Sequence, residues 1–168
     1  MKTVQVITTG GTIEKAYSEQ SGAVLNTTSK IGRYLQLLRL PDLDVRVTPL
    51  MNKDSLEMSP EDRAQLVAET GKLLALNQPI VITHGTDTMV ESGLAIEGAF
   101  PSPPVPIILT GAMRPLGFEH SDGLQNLTES LLAARLLPPG VYIVLHGQVF
   151  PADRARKDHT LGTFVAKP

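Results

Sequence analysis

Cysteine is absent from this chain, which removes disulfides, thiolate metal sites and a cysteine nucleophile together. No run of like charges is long enough to act as a tail, and the net charge of −2 lacks the basic excess of nucleic-acid binders. No apolar stretch approaches the length of a bilayer span. Neither nucleic acid nor a membrane is therefore an expected partner. The N-terminus has one lysine and no uninterrupted apolar core or small-residue cleavage site, so the sequence predicts a soluble, cytoplasmic protein. Repeats and low-complexity linkers are missing too. The four histidines, His84, His120, His146 and His159, show no ligand spacing, and no metal site is expected.

What is present suffices for one core: 168 residues, 42% of them hydrophobic, predict a single domain over 1–168. Val4, Val6 and Ile7 read as a buried strand that stops abruptly in Thr8-Thr9-Gly10-Gly11-Thr12. Ile13 to Thr28 has little periodicity and reads as a long functional loop. Thr28 or Ser29 is placed to cap a short helix through Tyr34, Leu35, Leu37 and Leu38. Val45 to Leu50 alternates as a second strand. Ser59-Pro60-Glu61-Asp62 combines a hydroxyl cap, a first-turn proline and acids at the positive end of the dipole. The helix it opens carries Leu66, Val67, Leu73 and Leu74 on one face and ends near Asn77.

Further strands are expected at Pro79 to Thr83, Val105 to Thr110 and Val141 to Leu145, with a short last one at Thr163 to Val165. Helices are expected to start at Thr86-Asp87 and at Asp122, the latter with Leu124, Leu127, Leu131 and Ala134 in phase. Strands alternating with helices predict an α/β fold: a mostly parallel sheet with helices on both faces. All strand C-termini then point one way. Thr9-Gly10-Gly11-Thr12, Thr83-His84-Gly85-Thr86-Asp87, Thr110-Gly111-Ala112-Met113 and His146-Gly147 gather along one edge, outside which such folds bind ligands.

Thr12 and Thr86 can face each other across that crevice, with Asp87 beside one of them. A threonine hydroxyl needs a base to become a nucleophile. Tyr17, Lys157 and the histidines are the available bases, and N–H groups at Gly11 and after Gly85 suit an oxyanion. Taken singly, the bland assignments outweigh these: Thr12 as a turn residue, Asp87 as a helix cap, His84 and His146 as structural hydrogen-bonders. Lys157 sits with Arg154 and Arg156, by default a solvated basic face. A phosphate cradle rivals acyl transfer as a use for the glycines, although Gly10-Gly11 fits neither G-x-G-x-x-G nor the P-loop. Spacing alone leads to an α/β protein with a small-ligand site.

Thr9-Gly10-Gly11-Thr12-Ile13 and Thr83-His84-Gly85-Thr86-Asp87-Thr88-Met89 together resemble the signatures of the bacterial L-asparaginase family. Three more blocks are similar in order: Asp54-Ser55-Leu56-Glu57-Met58, Leu109 to Pro115 with Ser121-Asp122-Gly123, and Arg154-Ala155-Arg156-Lys157. The resemblance spans essentially the whole chain. It implies a flavodoxin-like fold and hydrolysis of L-asparagine to L-aspartate and ammonia, with no cofactor and no metal. By that match Thr12 is the nucleophile and Tyr17 the lid tyrosine. Thr86, Asp87 and Lys157 form a second catalytic group in which the lysine's charge helps to activate a hydroxyl or water. Ser55 holds the substrate α-carboxylate, Asp87 also pairs with the α-ammonium, and N–H groups near Gly11, Gly85 and Thr86 hold the oxyanion. Which of Tyr17 and Lys157 deprotonates Thr12 stays open.

The chain departs from the family in three ways. The usual chain is about twice as long and carries a second, smaller domain, so this one resembles either a short, single-domain form without it or a truncated piece of the usual chain. Leu56 stands where secreted members often have a polar side chain on the substrate amine, which predicts weaker affinity. Glu14 to Asn26 matches only loosely. The expectation is an amidohydrolase on L-asparagine, with L-glutamine as a weaker substrate and a homo-oligomer, a dimer favoured, as its assembly. The alternatives are an amide-hydrolysing subunit of a tRNA-dependent amidotransferase and a non-catalytic amino-acid-binding module.

Overall fold

A computed structural model describes residues 1–168. In chain order the first elements are β1 (Lys2–Gly10), β2 (Lys15–Tyr17), β3 (Val24–Asn26), α1 (Ile31–Leu35) and β4 (Leu43–Lys53). Then come α2 (Pro60–Leu74), β5 (Ile80–Thr83), α3 (Met89–Ala99), β6 (Pro106–Thr110) and α4 (Gly123–Leu136). The chain closes with β7 (Gly140–Leu145), β8 (Gln148–Pro151), β9 (Ala155–Asp158) and β10 (Thr163–Ala166).

One six-stranded sheet has the order β4-β1-β5-β6-β7-β8. Its first five strands are parallel, and β8 folds back antiparallel on β7. Because these strands are covered on both faces, alternate residues of each feed two separate cores. Ile7, Ile82, Leu109 and Ile143 pack against Leu66 and Leu73 of α2 and Met89 and Ile96 of α3. Val6, Val81, Ile108 and Val144 pack on the other side against Ile31 of α1 and Leu127 and Leu131 of α4. The α/β architecture with helices on both faces is as the sequence predicts. No helix is long and apolar enough to cross a membrane. Strand order reverses between β1 and β5, since the chain runs from β1 out to β4 and returns to the opposite flank. A crevice opens at such a reversal, and it fixes where the site is built.

The start of α2 follows its sequence: Ser59 accepts from the Asp62 N–H while the Asp62 carboxylate accepts from the Ser59 N–H. This reciprocal box satisfies two of the donors a helix start leaves open. Four expectations need correction or sharpening. Ile13 to Thr28 is not a plain loop, because β2 and β3 pair antiparallel within it, Tyr17 opposite Val24. Ser29 does not cap α1, since its hydroxyl donates to Glu14 instead, and α1 ends at Leu35, short of Leu37 and Leu38. The last strand is present, yet β10 pairs with β9 in a separate hairpin rather than joining the main sheet. The fourth correction, at Asp87, bears on the site.

Candidate active site

Three connections meet at the carboxyl edge of the sheet. Gly11, after β1, has a φ of 76°, and a Cβ placed there would fall 2.3 Å from the Gly85 nitrogen after β5. A Cβ on Gly85 would in turn lie 2.5 Å from Ser55 Oγ, in the turn after β4. Only glycine lets these backbones touch. Ser55 is buried, its carbonyl accepts from the Thr88 hydroxyl at 3.0 Å, and its own hydroxyl accepts from the Thr88 N–H at 3.4 Å. Thr9 donates to the Thr83 carbonyl at 2.8 Å, tying β1 to β5 just below. Gly11, Ser55, Gly85 and Thr86 are thus brought together at the strand-order reversal.

Lys157 reaches this cluster from β9, about seventy residues away along the chain. Its Nζ donates to Thr86 Oγ1 at 2.8 Å and to Asp87 Oδ1 at 2.7 Å. Neighbouring side chains on a strand point to opposite sides. Arg156 therefore faces solvent while the Lys157 side chain turns inward and is 16% exposed. The basic-face assignment of Lys157 is overturned. So is the helix start at Thr86-Asp87: α3 begins at Met89, which leaves Asp87 free of capping and available to the lysine. With an ammonium as donor, Thr86 Oγ1 is an acceptor in that bond and keeps its own proton for another partner. Its only other contact of this kind is the Met113 sulfur at 3.9 Å, a weak acceptor.

The opposite wall is looser. Thr12 opens a 3-10 turn (Thr12–Glu14), is partly exposed, and its hydroxyl makes no hydrogen bond within the chain. Tyr17, on β2, is 60% exposed and equally unbonded, so the structure does not join it to Thr12 or Lys157. Leu56 is 72% exposed at the rim, with its N–H held by Asp54 at 3.0 Å. The β2–β3 hairpin is fastened beside the crevice at three points, one of them Lys30 Nζ donating to the Lys15 carbonyl at 2.7 Å. Lys15 pairs with Asp54 at 2.6 Å, and that hydrogen bond holds the Asp54 carboxyl below the usual carboxylate range. Asn26 Nδ2 donates to the Gly11 carbonyl at 2.8 Å. Beneath Thr12, Glu14 is fully buried, and burial pushes its carboxyl up despite the donors Ser29 and Lys30.

A third network braces the far side. Asp122 accepts from the N–H groups of Met113 and Arg114, each at 2.9 Å, and lies 2.6 Å from His146 Nε2. Burial pushes its carboxyl up, and the donors from Met113, His146 and Arg114 together outweigh that and leave it lowered. His146 Nδ1 is 2.8 Å from Thr163 Oγ1, so the clasp ties the β9–β10 hairpin that carries Lys157 to the loop that carries Met113. Sequence reasoning gave no role of their own to Asn26, Thr88 and Met113, although Thr88 and Met113 stand in its strand-tail blocks. Each acts through a tertiary contact that no local spacing encodes. The largest cleft of the molecule, about 680 Å³ between α2 and α3, lies away from these groups. No group of three histidine or acidic side chains is placed to hold a metal ion.

Residues 3–165 match the family described as "Asparaginase, N-terminal". The chain belongs to the asparaginase family. It is 31% identical over 157 residues to the L-asparaginase of Thermococcus kodakarensis, which covers 94% of this chain and 48% of that protein. It is 32% identical over 169 residues to a glutamyl-tRNA(Gln) amidotransferase subunit of Sulfolobus acidocaldarius, covering 94% and 37%. The solved structure of the thermostable L-asparaginase from Thermococcus kodakarensis superimposes with a TM-score of 0.86 at 30% identity, over 98% of this chain and 51% of that one. This asparaginase domain therefore spans about half the length of the curated L-asparaginase it matches, and a smaller share of the amidotransferase relative.

Proposed function

We propose that this domain hydrolyses a side-chain amide, with L-asparagine as substrate, through an acyl-enzyme on Thr12. The observation that carries the reading is the direct Lys157–Thr86–Asp87 linkage beside the Gly11–Gly85 contact, one residue from Thr12. The Thr12 oxygen attacks the amide carbon, its proton passes to the enzyme, and the C–N bond breaks as the nitrogen takes up a proton and leaves as ammonia. Water then adds to the β-aspartyl ester, the ester C–O bond breaks, and Thr12 regains its proton as L-aspartate leaves. The charge of Lys157 polarises Thr86 for the water step. Ser55 receives the α-carboxylate and Asp87 the α-ammonium of the substrate. The Gly11 N–H donates to the Lys53 carbonyl at 2.8 Å, against the sequence expectation, so the oxyanion falls to the Thr86 N–H after Gly85. L-Glutamine enters as a weaker substrate, longer by one methylene, a difference worth roughly 1–3 kcal/mol in a fitted pocket.

The amidotransferase relative favours a second reading, in which the same amide chemistry supplies ammonia to a tRNA-dependent amidotransferase. One assay separates these from a pure binding module. Purified protein is given L-asparagine or L-glutamine, and ammonia release is followed for wild type and Thr12→Ala. Preference for L-asparagine, abolished in the variant, is expected; preference for L-glutamine moves the assignment to the second reading. No release above background from wild type sinks the enzyme.

A further inference from the structure

His84 directly follows β5, is fully buried, and has no part in the steps above. Its Nδ1 lies 2.7 Å from the Gly85 carbonyl oxygen. A carbonyl only accepts, so Nδ1 carries the ring proton. In the neutral ring Nε2 is then an acceptor, and the Ser92 hydroxyl 2.7 Å away on α3 must donate to it. The Ser92 oxygen in turn accepts from Nη1 of Arg63 on α2. The direction of every bond in the row is fixed: Arg63 to Ser92, Ser92 to His84, His84 to Gly85.

The end of that row has a consequence in the crevice. In a trans peptide the C=O of one residue and the N–H of the next point opposite ways. Drawing the Gly85 carbonyl onto His84 turns the Thr86 N–H away from His84. That N–H finds no acceptor within the chain, although Thr86 is only 4% exposed. Unpaired N–H groups at buried residues are rare, and this one stands between Gly85 and the hydroxyl that Lys157 holds. Gly85 must be glycine because Ser55 crowds it, so no side chain of its own restrains the peptide. We infer that His84 is a positioning residue: locked as an Nδ1–H donor by Ser92 and Arg63, it aims the Thr86 N–H at the oxyanion. This role rests on the amide-hydrolysis reading above.

The test uses two amides of different reach in the full chain. In His84→Asn the side-chain amide falls near the place of Nδ1 and still donates to Gly85, whereas in His84→Gln it falls near Nε2. Ammonia release from L-asparagine is expected to keep kcat within about threefold in His84→Asn and to lose about 100-fold in His84→Gln, with KM shifted less than about threefold in both. Ser92→Ala, which frees the tautomer, is expected to fall between them. Equal losses in the two His84 variants that follow their melting temperatures overturn the inference in favour of simple packing. Unchanged kcat in all three variants overturns it too. A wild type that releases no ammonia sinks the hydrolysis reading instead. The clamp is then decided by the 15N resonance of Thr86, which should move in His84→Gln and stay in His84→Asn; no movement in either overturns it.

Discussion

The two walls of the crevice are built in opposite ways. On the Thr86 side, side chains from four segments interlock: Lys157 on β9, Thr86 and Asp87 after β5, Met113 after β6, and His146 after β7 through Asp122. On the Thr12 side the threonine hydroxyl is unbonded, and the hairpin beside it is fastened by one ion pair, one asparagine and one lysine. A donor that must stabilise developing charge gains from being held in advance. A nucleophile gains from a hydroxyl not already committed to the protein. The difference between the walls matches that division of labour, and it can be tested because equal losses of activity should come with unequal losses of stability.

The largest effects are on turnover. Thr12→Ala and Lys157→Met should each lower ammonia release by about 10³-fold or more, and the double variant should lose little beyond either one. Thr12→Ala removes no hydrogen bond, so its unfolding free energy should stay within about 0.5 kcal/mol of wild type. Lys157→Met unpairs Asp87 and Thr86 and should cost about 1 kcal/mol more. Urea unfolding beside the activity assay checks both. Activity that survives Thr12→Ala moves the nucleophile to Thr86.

Acid should then weaken the Thr86 wall first. Burial, against the pull of its bond to Gly85, lowers the His84 imidazole from 6.5 to about 4. The folded value lies below the unfolded one, so between these values the unfolded chain binds the extra proton. The contribution is complete above about pH 6.5, is lost as pH falls towards about 4, and falls no further below that. The full difference is worth about 3 kcal/mol. Urea unfolding at pH 7, 5 and 4 should show the slope, and His84→Asn should flatten it. A His84→Asn profile with the same slope as wild type contradicts a neutral buried His84.

The sequence was legible where one local rule decided the outcome. β5, β6 and β7 are apolar runs bounded by glycine or proline, and the Ser59 start of α2 is a box of four residues. The apolar runs located Thr12, Thr86 and Asp87 on strand tails, the resemblance gave them roles, and the sheet places those tails together. What stayed hidden was set by distant partners. By spacing alone Lys157 looked like one of three surface cations, and only the resemblance set it with Thr86 and Asp87, because its inward turn depends on β9 pairing with β10 and on acceptors seventy residues earlier. The β2–β3 hairpin has exposed apolar residues, Tyr17, Val24 and Leu25, so no buried face imposed a strand period. Ser29 could as well have been a cap, and only the buried Glu14 carboxylate claimed its hydroxyl.

A smaller effect separates the hairpin from the wall behind it. Lys15 and Asp54 are about a quarter exposed, so breaking the pair with Lys15→Met should change global stability by less than about 1 kcal/mol. Local opening is a different quantity from global unfolding. Amide exchange in residues 15–26 should quicken in that variant while exchange around Thr86 stays as in wild type. Equal quickening at both places means that the hairpin and the Thr86 wall open as one unit.

The smallest change tests the rim. Leu56 is largely exposed and its side chain makes no polar contact, while its backbone N–H is held by Asp54. Leu56→Gln therefore adds a polar group at a fixed backbone position without disturbing any packing, and stability should not move by more than about 0.5 kcal/mol. If the substrate ammonium passes this rim on its way to Asp87, the new amide oxygen accepts from it in ground state and transition state alike. Binding made equally in both states lowers KM and leaves kcat alone. The expected result is a KM for L-asparagine lower by about two- to fivefold at unchanged kcat, since one partly solvated hydrogen bond is worth about 0.5–1 kcal/mol. A KM that does not move places the ammonium away from residue 56 and leaves Asp87 as its sole proposed partner.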